Sequence, residues 1–202
     1  MARKKRIKPT KFKVTIIGEG ETEWYYFNNL RSTERYKFKV TPELPKHSDF
    51  KSIIKTARKK RDEGYDLVFC VLDMDRISSN KTELIGYTNE KNKSRLNKKI
   101  VFIETMPCIE LWFLLHYYSV YSNKIYLDYN TVSKELKKHI PDYDKTIKFL
   151  KKTKLYDFLI NNGDFNQAIE FSKRLNEEKK NSTNKFFNYT TISELIETLS
   201  KI

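Results

Sequence analysis

The sequence predicts an α/β fold in which a mainly parallel sheet is flanked by helices, with a helical C-terminal extension. Short apolar, β-branched runs alternate along the first 120 residues with longer segments of helical periodicity, a pattern typical of strand–helix–strand units. The run LVFCV at residues 67–71 is apolar throughout, which indicates a strand covered on both faces. Glycine and proline follow several of these runs and mark turns between elements.

The predicted elements follow one another in chain order. They are strand 12–17, helix 21–31, strand 36–40, helix 48–63, strand 67–71, a polar loop with a short helix within 78–99, strand 100–103 and a buried helix at 107–115. The first strand, FKVTII, is stopped by Gly18 and Gly20. In residues 48–63 apolar side chains recur every three or four positions, and Gly64 is a favourable helix end. Pro107 is expected to open the last of these helices.

Strand patterns fade after about residue 120. Lysine- and asparagine-rich helices are predicted there, at about 130–139, 144–161, 164–180 and 191–201, and the last begins with the capping-box sequence TISE. The predicted domain organisation is a flexible basic tail at 1–11, an α/β domain at 12–120 and a helical C-terminal part at 121–202 packed on it.

The chain is strongly basic. Its 202 residues include 40 Lys and Arg against 26 Asp and Glu, and the net charge of +14 favours an anionic partner, above all DNA or RNA. Two simpler origins of this charge stay open. The first 13 residues hold seven basic residues and no acid, and the abundance of Lys, Asn, Ile and Tyr also fits an AT-rich genome.

The sequence favours a cytoplasmic protein with no membrane partner. No apolar stretch reaches the roughly 18 residues that a membrane span needs. Cys70 and Cys108 are far apart and are interpreted as buried thiols in a reducing compartment, not as a disulfide or a zinc site. Whether the chain forms a homo-oligomer stays open.

Acidic residues follow two of the predicted strands. Glu19 comes just after the first strand, and Asp73 and Asp75 come just after the third. Because the carboxyl ends of parallel strands meet at one edge of a sheet, these side chains converge if the two strands are neighbours. Glu23 lies four residues after Glu19 and would share its helix face.

Carboxylates gathered at one edge repel one another unless a cation offsets their charge. Mg²⁺ or Mn²⁺ suits oxygen ligands and would also stabilise the charge of a phosphodiester under attack. We therefore predict a metal site whose ligands are Glu19, Glu23, Asp73 and Asp75. The alternative interpretation is that Glu21 and Glu23 only favour the start of a helix and that the Asp-Met-Asp sequence is a turn.

Further candidates lie in and around the predicted helix at 107–115. Glu110 has mostly apolar neighbours, so its carboxylate is expected to face the metal, the sheet edge or a lysine. His116 lies six residues further on, about 120° away around the helix, and is interpreted as a structural histidine. Glu104 competes with Glu110 for a third acidic position, and Lys145 either contacts a phosphate or belongs to an exposed basic surface.

Two short segments resemble the TOPRIM domain, the metal-dependent catalytic module of topoisomerases, bacterial primases and OLD-family nucleases. They are EGETEWYYF at 19–27 and VLDMD at 71–75, and the two-glutamate form of the first is similar to that of OLD-type nucleases. MPCIELWFLLHYY at 106–118 and HIPDYDK at 139–145 resemble the RloB family, TOPRIM-like proteins of restriction and abortive phage-infection loci that are also called AbiLii-like. The resemblance spans about residues 12–200, and its strongest motifs cover about 35 residues.

The resemblance implies a nuclease-like protein of anti-phage defence, often encoded beside an AAA-type ATPase that would be its partner. It implies that Asp73 and Asp75 are metal ligands, that Glu19 is a metal ligand or general acid/base, and that Glu23 binds a second metal. The chain departs from the family pattern at Met106-Pro107, where we expect Asn-Pro.

The leading functional prediction is an enzyme, a Mg²⁺- or Mn²⁺-dependent nuclease that hydrolyses DNA or RNA. Its predicted catalytic residues are Glu19, Asp73, Asp75 and Glu110. One alternative is a catalytically inactive TOPRIM-shaped sensor of nucleic acid or nucleotide that signals to a partner ATPase. Another is strand-passing or primase chemistry, for which the sequence shows no evident tyrosine-bearing or zinc-binding module. The sequence also lacks a Walker A phosphate-binding loop, so nucleotide hydrolysis is expected from a partner.

Overall fold

The strands of the described residues form one five-stranded sheet. The structure, a computed structural model, describes residues 12–41, 49–95 and 98–202, and the predicted tail at 1–11 lies outside these residues. The strands are β1 (Val14–Ile17), β2 (Phe38–Thr41), β3 (Leu67–Asp73), β4 (Ile100–Met106) and β5 (Tyr189–Thr190). They are arranged in the order β2-β1-β3-β4-β5, with β5 antiparallel to β4 and the other pairs parallel. The predicted α/β fold with a mainly parallel sheet is confirmed.

Helices cover both faces of this sheet. They are α1 (Glu21–Thr33), α2 (Phe50–Asp62), α3 (Met74–Ser79), α4 (Lys81–Arg95), α5 (Glu110–Leu115), α6 (Tyr129–Leu136), α7 (Ile147–Thr153), α8 (Leu155–Asn162), α9 (Phe165–Asn181) and α10 (Ile192–Leu199). Successive strand residues point to opposite faces, so Phe69 of β3 packs on the α1 side while Cys70 packs on the α2 side. Burial on both faces explains why residues 67–72 of this strand are all apolar. None of the helices in the described ranges is long and apolar enough to cross a membrane.

The C-terminal helices share a hydrophobic core with the sheet. Ile16 of β1 belongs to the same buried cluster as Leu159 of α8, Ala168 of α9 and Leu195 of α10. The C-terminal part also contributes β5, which the sequence did not reveal because two residues carry no periodicity. The boundary near residue 120 stays a prediction.

Three helix predictions differ from the observed elements. Pro107 does not open a helix, because its carbonyl accepts two N–H groups from the start of α3 (3.0 and 3.1 Å) and α5 begins only at Glu110. The segment 78–99, expected to be mainly loop, is largely helical. The helix expected at 144–161 is divided at Lys154, whose φ of +48° is incompatible with a continuous helix.

Candidate metal centre

Glu19 and Asp73 meet at the carboxyl ends of β1 and β3. The two strands are neighbours, with Ile17 opposite Cys70, so the chain leaves both strands at the same edge of the sheet. There Glu19 Oε1 accepts a hydrogen bond from the backbone N–H of Asp73 at 2.9 Å. The strand adjacency on which the predicted site depends is confirmed.

The first turn of α1 holds Glu23 next to the end of β1. Glu23 Oε2 accepts the N–H of Gly20 at 2.9 Å, which closes the first turn of the helix, and the residue is only 4% exposed. Gly18 permits this approach, because a Cβ atom at its position would lie 2.5 Å from the Cβ of Glu23. The glycine that ends β1 therefore also makes room for the acid.

The connection from β4 to α5 passes beside Asp73. Asp73 Oδ1 accepts the backbone N–H of Ile109 at 2.9 Å. One potential ligand atom from each of Asp73, Cys108 and Glu110 lies within 4.8 Å of the other two. Glu110 therefore occupies the third acidic position of this edge.

Glu110 is fully buried and forms an ion pair. Its Oε1 atom accepts the hydroxyl of Tyr143 at 2.6 Å and lies 2.9 Å from Lys145 Nζ. Lys145 Nζ also lies 4.1 Å from the ring centroid of Tyr129, a cation–π distance. The other carboxylate oxygen, Oε2, is buried and has no hydrogen-bond partner within the described part of the chain. An unpartnered buried carboxylate oxygen is costly, and it is the atom that a bound cation would satisfy.

Burial and mutual repulsion raise the pKa values of the neighbouring carboxyls. The pKa of Glu19 is raised to about 8, first by burial and then by the charges of Glu23 and Asp75. Burial also raises the pKa of Asp73 well above its usual value, with further contributions from Glu23, Glu19 and Glu110. The pKa values of Glu23 and Asp75 are raised as well, and burial is again the largest cause. We call these five acids, Glu19, Glu23, Asp73, Asp75 and Glu110, the carboxylate centre.

Lys145 offsets part of this negative charge. Burial by itself would lower the pKa of Lys145, but the charges of Glu110 and Asp73 outweigh it and leave the pKa raised. Within the described residues, Lys145 is the only basic side chain in an ion pair with the carboxylate centre. One ammonium group offsets the charge of at most one carboxylate, and the raised pKa values mean that several of the other acids hold protons near neutral pH when no metal is bound. A divalent cation would take the place of those protons.

The donor atoms of the centre suit a hard divalent metal. Burial, followed by the charges of Glu110 and Asp73, raises the pKa of the Cys108 thiol well above its usual value, so this thiol stays protonated. A protonated thiol is a poor ligand, which leaves carboxylate oxygens as the donors. Carboxylate oxygens are the ligands that Mg²⁺ and Mn²⁺ prefer. Within the described residues, the potential ligand atoms that lie within 4.8 Å of one another come from Asp73, Cys108 and Glu110. The other predicted metal ligands, Glu19, Glu23 and Asp75, are not part of this group.

The family model for RloB-like proteins matches residues 14–199. The chain belongs to the RloB-like family. The match extends from β1 into α10, so it includes every residue of the carboxylate centre together with Lys145. Searches among curated proteins and among solved structures found no match to this chain.

His116 of this RloB-like chain is built into the core. His116 Nδ1 lies 2.9 Å from the carbonyl oxygen of Trp112, and the two rings pack edge to face with centroids 4.9 Å apart. Burial lowers the pKa of His116 to about 4, so the imidazole is neutral at physiological pH. This geometry agrees with the structural interpretation of His116.

Glu104 lies outside the carboxylate centre. It is opposite Leu72 in the sheet, and its side chain faces α4. There it binds the hydroxyl of Tyr87 and the ammonium group of Lys91, and its Oε2 atom accepts the hydroxyl of Tyr189 at 3.0 Å. We call these four residues the Glu104 network. Glu104 therefore does not supply the third acid of the metal site.

Sequence reasoning did not assign Tyr143 and Cys108 to the site and left the role of Lys145 undecided. Tyr143 and Lys145 come from the connection between α6 and α7, more than 30 residues after Glu110 in the chain, and no local pattern joins them to β1 or β3. The lysine-rich sequence that follows made Lys145 look like part of a solvated surface. The one usable signal was the position of both residues in the segment HIPDYDK, which resembles the RloB family.

Proposed function

We propose that this RloB-like protein is a Mg²⁺- or Mn²⁺-dependent nuclease that hydrolyses phosphodiester bonds of DNA or RNA. The observation that carries the proposal is the convergence of five acids on one edge of the sheet, where Lys145 is the only lysine or arginine of the described residues that forms an ion pair with them. Such an accumulation of buried negative charge is unfavourable by itself and becomes favourable when a divalent cation is bound.

The residues that would hold the metal are Asp73, Glu19 and Asp75, with Glu23 and the unpartnered oxygen of Glu110 beside them. A bound Mg²⁺ or Mn²⁺ would supply electrostatic stabilisation of the charge that develops on the phosphodiester. Supporting this assignment, Gly20, Asp73 and Ile109 hold three of the acids in place through backbone N–H groups, so the side chains are fixed before any ligand arrives.

The chain's own groups have separate roles in the proposal. In the metal-free protein the pKa of Glu19 is raised to about 8, so this carboxyl holds a proton near neutral pH and would release it on binding a metal. Lys145 keeps its positive charge and its side chain is 36% exposed, so it can contact a substrate phosphate while it holds Glu110. Tyr143 fixes the orientation of Glu110 through its hydroxyl.

The biological setting belongs to the same proposal. The net charge of +14 supports a nucleic-acid substrate. The resemblance of the two acidic motifs to TOPRIM and OLD-type nucleases, and of the chain to AbiLii-like proteins, supports a role in bacterial anti-phage defence in the cytoplasm. An AAA-type ATPase would be the partner that hydrolyses nucleotide.

A cleavage assay tests the proposal. Purified protein is incubated with Mg²⁺ or Mn²⁺ and single-stranded DNA, duplex DNA, plasmid or transfer RNA, with and without the partner ATPase. Cleavage is expected with at least one substrate and should be lost in Glu19→Gln, which retains the oxygen that accepts the Asp73 N–H. If no substrate is cleaved under any of these conditions, or if Glu19→Gln cleaves as well as the unaltered protein, the proposal is wrong.

One observation favours the alternative of a catalytically inactive sensor. Glu19, Glu23 and Asp73 each use one carboxylate oxygen to bind a backbone N–H, which is also what purely structural acids do. A sensor would bind nucleic acid with a steep salt dependence that survives Glu19→Gln. Binding without cleavage, with and without metal, would decide in favour of this alternative.

A further inference from the structure

A basic groove lies at the end of the sheet opposite the carboxylate centre. It has a volume of about 820 Å³ and is lined by the start of β1, by β2 and by the end of α1, together with Tyr65, Leu199 and Ile202. β1 rises about 3.3 Å per residue, which places the groove roughly 15 Å from Glu19 along the strand. The groove is therefore a surface separate from the proposed metal site.

The cations of the groove have no carboxylate partners. Lys13, Arg35, Lys37 and Lys39 line it with exposed side chains, and none of them forms an ion pair with a described residue. Among the described residues, no acidic one lines the groove. The nearby acids are engaged elsewhere: Asp66 accepts the backbone N–H of Lys13, and Glu34 accepts the hydroxyl of Tyr156. The positive charge of the groove is thus available to an anionic ligand.

Aromatic side chains lie between these cations. Tyr36 is partly exposed and Phe12 is 52% exposed, and both line the groove. The ring centroids of Tyr36 and the buried Phe38 lie 6.3 Å apart, so the two rings pack against each other. Alternating cations and accessible aromatic rings are the features with which proteins bind the phosphates and bases of a single strand.

Arg35 occupies an unusual backbone position. It follows the C-cap of α1 with φ of +56°, the left-handed conformation that glycine adopts most easily at helix ends. An arginine at this position costs stability relative to glycine. Arg35→Gly therefore removes the charge without straining the fold.

We propose that this groove binds single-stranded nucleic acid over a few nucleotides, independently of the carboxylate centre. The chain's own residues 1–11 are excluded as the occupant by charge, because they contain six basic residues and no acid. The proposal does not rest on cleavage activity.

Fluorescence anisotropy with a labelled ten-nucleotide oligo-dT in EDTA tests the groove without any contribution from metal. Replacing Lys37 and Lys39 with Gln is expected to weaken binding about 20-fold at 0.1 M salt and to reduce the salt slope by about 1.4, the values for two lost phosphate contacts. The matched control replaces Lys55 and Lys59 with Gln, two exposed lysines of α2 that do not line the groove, and should change affinity by less than about threefold.

Two further variants separate the contributions of charge and stacking. Arg35→Gly is expected to weaken binding while the thermal midpoint stays equal or rises. Tyr36→Leu should weaken binding about tenfold, whereas Tyr36→Phe should restore it. Glu19→Gln should bind the oligonucleotide as the unaltered protein does. Oligonucleotide binding therefore tests the groove alone, and cleavage tests the nuclease proposal alone.

Two results would overturn the proposal. The first is an equal loss of affinity in the groove variant and in the α2 control, which would mean that only total charge matters. The second is a mononucleotide that binds as tightly as the oligonucleotide, which would assign the groove to a free nucleotide instead of a strand.

Discussion

The sheet carries buried acids in two places, and their surroundings are opposite. Glu104 on β4 is bound by one ammonium group and two tyrosine hydroxyls, so its negative charge is matched by donors. In the carboxylate centre five acids converge. Within the described residues, Lys145 is the only basic side chain that forms an ion pair with any of them. Glu104 is matched by its donors, whereas the carboxylate centre holds more acids than ion-paired cations among the described residues, and its Glu19, Asp73 and Asp75 are partly exposed.

The difference shows that burial alone does not mark a functional carboxylate. A buried acid with its full set of donors holds neighbouring elements together, as Glu104 holds α4 and β5 against β4. A group of buried acids with too few cations is tolerated when it binds something positive. Charge balance, and not exposure, therefore separates the proposed metal site from a structural network.

The largest expected effect is that substitutions at Asp73 and at Glu104 change different quantities, cleavage activity in the first case and stability in the second. Asp73→Asn keeps the acceptor for the Ile109 N–H, so it should reduce cleavage by at least about 100-fold while the free energy of unfolding stays equal or rises. Glu104→Ala should lower the free energy of unfolding by about 3 kcal/mol, because it leaves Lys91 without its partner, and should leave the activity of the folded protein within about threefold. Urea unfolding and the cleavage assay measure both quantities. Loss of activity in both variants, or in neither, would contradict the distinction.

The next effect is a dependence of the free energy of unfolding on pH, which should disappear when Mn²⁺ is bound. In EDTA, stability should fall as pH rises from 6.5 to 8, because Glu19 and Asp73 then hold protons in the folded state that the unfolded chain has released near pH 4. His116, whose pKa is lowered to about 4, acts only below this range. Mn²⁺ should flatten the profile, and Glu19→Gln should reduce its slope without abolishing it, because Asp73 still titrates. A flat profile in EDTA would show that the carboxyl pKa values are not raised.

Replacing one lysine in each of the two places tests the same difference in charge balance. Lys145→Met removes a positive charge that competes with a metal, so the affinity for Mn²⁺ should rise roughly tenfold. Lys91→Met, the matched change in the Glu104 network, should leave that affinity unchanged. Isothermal titration measures both variants, and equal responses would mean that Lys145 does not share the electric field of the site.

The smallest effect concerns His116. His116→Gln should cost about 1 kcal/mol of unfolding free energy, because the buried contact to the Trp112 carbonyl is altered. The pH profile of cleavage should keep its shape, since the imidazole lies outside the carboxylate centre. A profile that shifts with this variant would assign His116 a part in proton transfer.

The sequence was sufficient for the strands that position Glu19 and Asp73, because their apolar runs and the glycines after β1 are local signals. The short spacing between Glu19 and Glu23 was equally local. The choice between Glu104 and Glu110 could not be made from local signals. Glu104 lies in β4 and Glu110 follows this strand at the start of α5, so only the directions of the two side chains distinguish them. Lys145 and Tyr143 depend on packing between elements far apart in the chain, which no local pattern encodes.

The most direct test of the metal site is a crystal structure with Mn²⁺ and its anomalous scattering. We expect a peak within coordination distance of Asp73 and Glu19, and no peak beside Glu104. The peak should disappear in crystals of Asp73→Asn. A peak at another position, or one that persists in Asp73→Asn, would contradict the assignment of these carboxylates to a divalent metal.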